Sequence, residues 1–181
     1  MKIRPFNDRS EHEEINLFAL DVATGARGLL VKVAGSGFQN TNAPVSCFDT
    51  VPSINNAYIP RWAVPHRVTA CGSGQAAMGF LLYDVKEFGF EGRHLIHDPI
   101  RAAEAQAVAS GQAVPIATKG LFLVGDLGSG VVPLPGKYAI PSNAGDGSWA
   151  VSATKTSVAF GKWLGALDTD GYALVKVDFD A

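Results

Sequence analysis

Val158-Ala159-Phe160-Gly161-Lys162-Trp163-Leu164-Gly165-Ala166-Leu167, then Asp168-Thr169-Asp170-Gly171, then Tyr172-Ala173-Leu174-Val175-Lys176-Val177-Asp178-Phe179 is the stretch that decides the fold class. In its last part Ala173, Val175, Val177 and Phe179 fall on one face of a strand while Lys176 and Asp178 fall on the other. Period-two alternation of this kind marks a strand with one side on a core and one side toward water. Upstream, Val158, Phe160, Leu164 and Ala166 alternate with Ala159, Trp163 and Leu167. The Asp-Thr-Asp-Gly between the two segments is turn chemistry, so the C-terminus is predicted to be an antiparallel hairpin.

Moving outward toward the N-terminus, Lys137 to Ile140, Gly120 to Val124 and Val114 to Ile116 repeat the short apolar pattern. Gly125, Gly128, Gly130, Pro133 and Pro135 fill the connections. Asp98 as N-cap, Pro99 in the first turn, the alanines up to Ala109 and the terminating Gly111 predict one helix of about three turns over 99–109. Arg67 to Cys71, Met78 to Val85 and the shorter Leu95-Ile96 read as strands, with Gly72-Ser73-Gly74 connecting the first two. Pro44, Pro52, Pro60 and Pro65 forbid long regular elements between Ala34 and Pro65, which reads as a long ordered loop or a series of edge strands. Ile15 to Leu20 and Leu29 to Val33 flank Thr24-Gly25-Ala26-Arg27-Gly28 and are expected to form a first strand pair. Residues 1–14 carry Arg4, Asp8, Arg9, Glu11, Glu13 and Glu14 with only Ile3 and Phe6 as apolar anchors, and are expected to be an exposed arm able to latch onto a partner.

These readings give a mainly β chain: a small antiparallel β-barrel or sandwich with long Gly/Pro-rich loops and one short helix near 99–109. A length of 181 residues suits one core and is too short for two ordinary domains. The expected organisation is therefore an arm, 1–14, and a single β-rich domain, 15–181, with 15–108 and 109–181 as its subregions. With 47% apolar and 18% charged residues the chain can bury a core. No run approaches about 18 apolar residues, and Met1-Lys2-Ile3-Arg4-Pro5-Phe6 has no secretory pattern, so a soluble chain with no membrane partner is expected. The formal net charge is −2 and the fifteen Lys and Arg are scattered singly along the chain. No run can neutralise a row of phosphates, and direct nucleic-acid binding is not expected.

Five constellations carry residue types that could do chemistry. Gly72-x-Gly74-x-x-Ala77 matches a dinucleotide-binding fingerprint, with Glu91 at the distance of a ribose-binding acid, but the fingerprint needs a helix where Phe80 to Val85 reads as strand. Cys71-Gly72-Ser73-Gly74 begins like a papain-type nucleophile motif, which breaks off at Gly74 and Gln75, and nothing places His66, His94 or His97 beside the thiol. His94, His97 and Asp98 could supply metal ligands, yet on a strand positions three apart diverge, and Asp98 already serves as a cap. Asp168 and Asp170 with Gly171 have the start of a calcium loop without its later ligands. Trp62, Trp149 and Trp163 suit either a stacking platform or core and interface anchors. Cys47 and Cys71 are too far apart in sequence to read as a redox pair and are expected to be reduced. No catalytic residue, cofactor or metal site is assigned, and a non-enzyme is expected.

Two stretches carry a family resemblance: Ala109-Ser110-Gly111-Gln112-Ala113-Val114-Pro115-Ile116-Ala117-Thr118-Lys119-Gly120, and Gly161 to Leu167 with Gly171-Tyr172-Ala173-Leu174-Val175-Lys176-Val177. Residues 109–181 resemble the small β-barrel region of tailed-bacteriophage capsid decoration, or cement, proteins. The resemblance implies a virion structural protein on the outside of an expanded shell, assembled in the host cytoplasm, whose partners are the major capsid protein and itself, as a homotrimer rather than a dimer. A tail or baseplate module is the alternative within the structural class. An enzyme or nucleotide binder using Cys71-Gly72-Ser73-Gly74 is the alternative outside it.

Overall fold

The structure, a computed structural model, describes residues 2–6, 13–35, 66–125, 127 and 131–179. In chain order these residues form β1 (Lys2–Pro5), β2 (Glu14–Ile15), β3 (Ala19–Leu20), β4 (Leu30–Val33), β5 (Arg67–Ala70), β6 (Gly79–Leu81) and β7 (Asp84–Lys86). A 3₁₀ turn (Leu95–His97) and helix α1 (Pro99–Glu104) follow, then β8 (Ala107–Ala109), β9 (Ile116–Ala117), β10 (Lys119–Gly125), β11 (Tyr138–Pro141), β12 (Trp149–Ser152), β13 (Gly161–Trp163) and β14 (Tyr172–Asp178).

The strands build a sandwich of two six-stranded sheets with a two-stranded ribbon behind it. A front sheet has the order β1-β10-β14-β13-β11-β12, a middle sheet β2-β9-β6-β4-β5-β3, and the ribbon pairs β7 with β8. The chain is mainly β, as the alternation predicts, and the sheets are open rather than closed into a barrel. The front sheet is antiparallel throughout, and its spine is the seven-residue pairing of β10 with β14, from Lys119 opposite Asp178 to Gly125 opposite Tyr172. Phe122, Val124, Ala173, Val175 and Val177 point inward from this spine and are buried.

Alternation along the middle sheet gives it two buried faces. Leu30, Phe80 and Ala117 join the core shared with the front sheet. Their neighbours Val31, Leu81 and Ile116 join a second core with Phe18, Leu20, Val85 and Val114, under the ribbon. Gly79, next to Phe80, is required there: a Cβ would stand 2.5 Å from the Ala117 carbonyl oxygen and from the Ile116 side chain. A third, smaller cluster of Leu95, Ala102, Ala107 and Ala109 seats α1 on the ribbon.

The front and middle sheets meet at an aromatic cluster. Phe80 from β6 stands edge-on to Phe122 of β10 at 4.8 Å and to Trp149 of β12 at 5.4 Å, and Trp149 meets Phe160 at 5.0 Å. The Trp149 Nε1–H donates to the Gly28 carbonyl at 2.7 Å, which satisfies the indole inside the core. Two residues earlier, Gly147 at φ +76° donates to the Cys71 carbonyl and accepts from the Leu30 N–H, at 3.1 and 2.8 Å. A side chain there would clash with the Leu30 carbonyl at 2.8 Å, so backbone from both sheets can approach only because the residue is glycine.

Four expectations are corrected. Over the described residues 2–6 and 13–14 the expected exposed arm is replaced by sheet: β1 forms the edge of the front sheet with Ile3 buried, and β2 pairs with β9. One buried position flanked by Lys2 and Arg4 suffices for a charged edge strand, and residues 7–12 lie outside the described residues. The segments 15–20 and 29–33 do not pair with each other. β3 runs parallel to β5, β4 lies between β5 and β6, and Gly25 exchanges hydrogen bonds with Val85 instead of closing a hairpin. The helix stops at Glu104, Gln106 turns left-handed at φ +47°, and Ala107–Ala109 continue as a strand parallel to β7. Alanine helix propensity is worth only tenths of a kcal/mol per residue, less than burying Ala107 and Ala109 in the ribbon. Leu95-Ile96, read as a strand, is a 3₁₀ turn. The predicted loop over 34–65 lies almost wholly outside the described residues.

The C-terminal hairpin forms as expected: β13 pairs with β14, Gly161 opposite Val177 through Trp163 opposite Val175. Because Phe80 is fully buried and touches both Phe122 and Trp149, Phe80→Ala is expected to lower the unfolding free energy by about 3–5 kcal/mol in urea titrations. A loss below about 1 kcal/mol would mean that this cluster does not hold the sheets together.

Candidate interaction surface

The middle sheet is covered on both faces, but the front sheet has a broad face turned away from the core. Registers place its residues in rows. Arg4 lies opposite Leu123, which lies opposite Leu174. Leu164 continues this row through its hydrogen bond to the Leu174 carbonyl. In the next row Leu121 lies opposite Lys176, Lys176 opposite Lys162, and Lys162 opposite Tyr138, with Phe6 bonded to Leu121 on the far side. Leu121, Leu123 and Leu174 are half-buried, whereas Phe6 is 58% and Leu164 46% exposed.

The charge on this face is one-sided. Among the described strand residues Lys2, Arg4, Lys119, Lys162 and Lys176 project from it, against one carboxylate, Asp178, which pairs with Lys119 at 3.5 Å. Lys162 and Lys176 stand directly opposite each other without a carboxylate partner among the described residues, an arrangement that destabilises a strand pair. Arg4 lies over the Tyr172 ring at 4.8 Å and Lys162 over the Tyr138 ring at 5.8 Å. The sequence reading missed this surface because its cations are dispersed along the chain. Strand alternation was the available signal, and registers were needed to bring the strands together.

Compared with known proteins, the chain matches no family model and no curated protein sequence.

The other sequence candidates are distributed as follows. Gly72-Ser73-Gly74 is a tight turn between β5 and β6, closed by the Gln75 side chain accepting from the Gly72 N–H at 2.9 Å and by Ser73 donating to Asn143 at 2.7 Å. No helix opens after it, so it lacks the N-terminal amides that a pyrophosphate needs. Cys71 is a free thiol buried in the main core, and burial pushes its pKa up, opposed in part by Lys32. Glu91 sits far along the chain in an exposed loop, ion-paired to Arg93 and Arg101. Trp149 and Trp163 are core side chains, not a platform, and Trp62 and Cys47 lie outside the described residues. His66 is buried and lies edge-on to Phe18.

His94 and His97 do approach each other, contrary to the strand reading: three residues per turn in the 3₁₀ segment put their rings 6.3 Å apart. His94 packs on Phe88 at 4.4 Å, and Asp98 caps α1 by accepting from the Arg101 N–H. Among the described residues no three His, Cys, Asp or Glu side chains are grouped to hold a metal ion. Among them, too, no helix is long and apolar enough to cross a membrane. A cleft of about 350 Å³ opens between the β7–α1 loop and α1, lined by Lys86, Phe88, Phe90, Leu95 and Arg101. Its carboxylates are already engaged, since Arg101 bridges Glu91 and Glu104 and Asp98 caps α1.

In the hairpin turn the Asp168 carboxylate accepts from the Asp170 and Tyr172 N–H groups at 3.0 and 2.8 Å, and Gly171 takes φ +78°. One carboxylate oxygen is thus committed to the backbone. Asp168→Ala is expected to cost about 1 kcal/mol in thermal or urea unfolding. Added calcium should leave the melting temperature of the native chain unchanged, and a rise would restore the calcium reading.

A buried thiol also links stability to pH. With its folded pKa raised above the ordinary value, Cys71 stabilises the fold fully below about pH 8.5 and progressively less as pH rises through the folded value. Iodoacetamide at pH 8 should therefore label Cys71 at least tenfold more slowly in the native protein than in urea, read by peptide mass spectrometry. Equal rates would mean an accessible, activated thiol.

Proposed function

We propose that this chain is a virion structural protein that decorates the outside of an expanded capsid shell, bridging subunits of the major capsid protein. The observation that carries the reading is the outer front-sheet face, which no described residue covers, with an apolar row between cations, on a sandwich whose other large sheet is covered on both sides. Soluble proteins seldom leave such a face without a use. The segment that resembles decoration proteins, 109–181, supplies β10 to β14, five of the six strands of that sheet. On this reading the protein sits on the capsid exterior as a homo-oligomer, a trimer in preference to a dimer. A symmetric oligomer that touches several lattice subunits gains effective concentration from each contact, so modest interfaces sum to durable attachment.

The N-terminal latch takes a different form here. Because β1 is an edge strand and Ile3 is buried in the main core, removing residues 1–14 would strip the front sheet as well as any latch. Point changes on the exposed face are the cleaner probe.

Purified protein mixed with expanded, undecorated shells of its own virus is expected to bind at regular positions visible by cryo-electron microscopy, and to run as an oligomer in solution. A monomeric mass together with bare shells would overturn the proposal. Binding to tails and not to shells would turn it toward a tail or baseplate component.

A further inference from the structure

We infer that the outer face of the front sheet seats on a protein surface that is acidic around an apolar centre. This rests on the decoration reading for its biological setting, but the chemistry follows from the face itself. Leu123, Leu174 and Leu164 make an apolar row, and Leu121 extends it into the next. Four strands at about 4.8 Å spacing and seven residues at about 3.4 Å give a patch about 19 Å by 24 Å. That is about 460 Å² in projection, a little over half of one side of a standard interface, ~800 Å² per partner. An apolar middle with a charged margin is the composition of such interfaces.

The charges select the partner. Lys162 opposite Lys176, with no carboxylate partner among the described residues, is an unfavourable pair that carboxylates coming between or beside them relieve. A second copy docked face to face by a two-fold would set four cations that have no carboxylate partner among the described residues against four. A second copy presenting its far side is no better complement, because the carboxylates there are engaged locally: Asp84 with Lys86, and Glu91 and Glu104 with Arg101. Nucleic acid fits less well than protein. Bases would stack on Tyr172 and Tyr138, whose ring faces Arg4 and Lys162 already cover, and the leucine row offers phosphates nothing.

The test uses the full chain and three probes: a soluble synthetic peptide alternating Glu and Leu, poly-glutamate of equal charge, and a 20-nucleotide single-stranded RNA. Calorimetry at low salt should show the Glu/Leu peptide binding at least tenfold more tightly than either other probe. Amide NMR shifts should concentrate on β1, β10, β13 and β14. The double variant K162E/K176E should weaken peptide binding at least tenfold with an unchanged melting temperature, while R93E, on the far layer, stays within twofold of the native chain. No peptide binding, tighter RNA binding, or equal losses in both variants would overturn the inference. A second arm with undecorated shells separates it from the decoration reading. Shells bound equally by native chain and double variant would sink the docking face alone. Peptide binding without shell binding would sink the decoration role and leave the face's chemistry standing.

Discussion

The contact on which the fold depends is the seat of Trp149. Its ring packs against Phe80 of the middle sheet and Phe160 of the front sheet, while its indole N–H reaches the Gly28 carbonyl at 2.7 Å. A large aromatic joins two sheets well because its area is apolar and its one polar group can be satisfied at a fixed point. The same hairpin brings Gly147 against Leu30 and Cys71, so the sheets are joined by backbone as well as by side chains. Trp163, packed against Trp149 at 6.2 Å, completes the inner wall of the front sheet.

Once these sheets are fixed, the remaining layers follow from unequal apolar content. The middle sheet is apolar on both faces and must be covered twice, by the front sheet and by the ribbon with the segment around Phe18. β14 alternates, so the front sheet needs covering only once. No described residue covers its second face. That asymmetry, more than any single residue, gives the molecule a defined outside.

The charge pattern shows how folding concentrates what the chain disperses. Lys2 and Arg4 lie at one end of the sequence, Lys119 in the middle, Lys162 and Lys176 near the other end, and none belongs to a basic run. Antiparallel register lines them up on neighbouring strands, where they act as one field. The decoration role we propose draws on this face, and its cationic surplus makes attachment sensitive to ionic strength.

Local periodicity determined much of this protein. The β class, the C-terminal hairpin with its Asp168–Gly171 turn, β5, β10, β11 and the N-cap at Asp98 were legible because each depends on neighbours within a few residues. Reading failed where tertiary partners outweighed local preference: Ala107–Ala109 left the helix to pair with β7, residues 24–28 joined β7 rather than forming a hairpin, and Ile3 drew the N-terminus into an edge strand. β12 was missed because its four residues follow a Gly-rich stretch, and only the core gives Trp149 its place. The candidate surface could not be read at all from one dimension. Alternation says which residues share a strand face, but registers between strands as distant as β1 and β14 decide which faces become one surface, and those are set by packing the core.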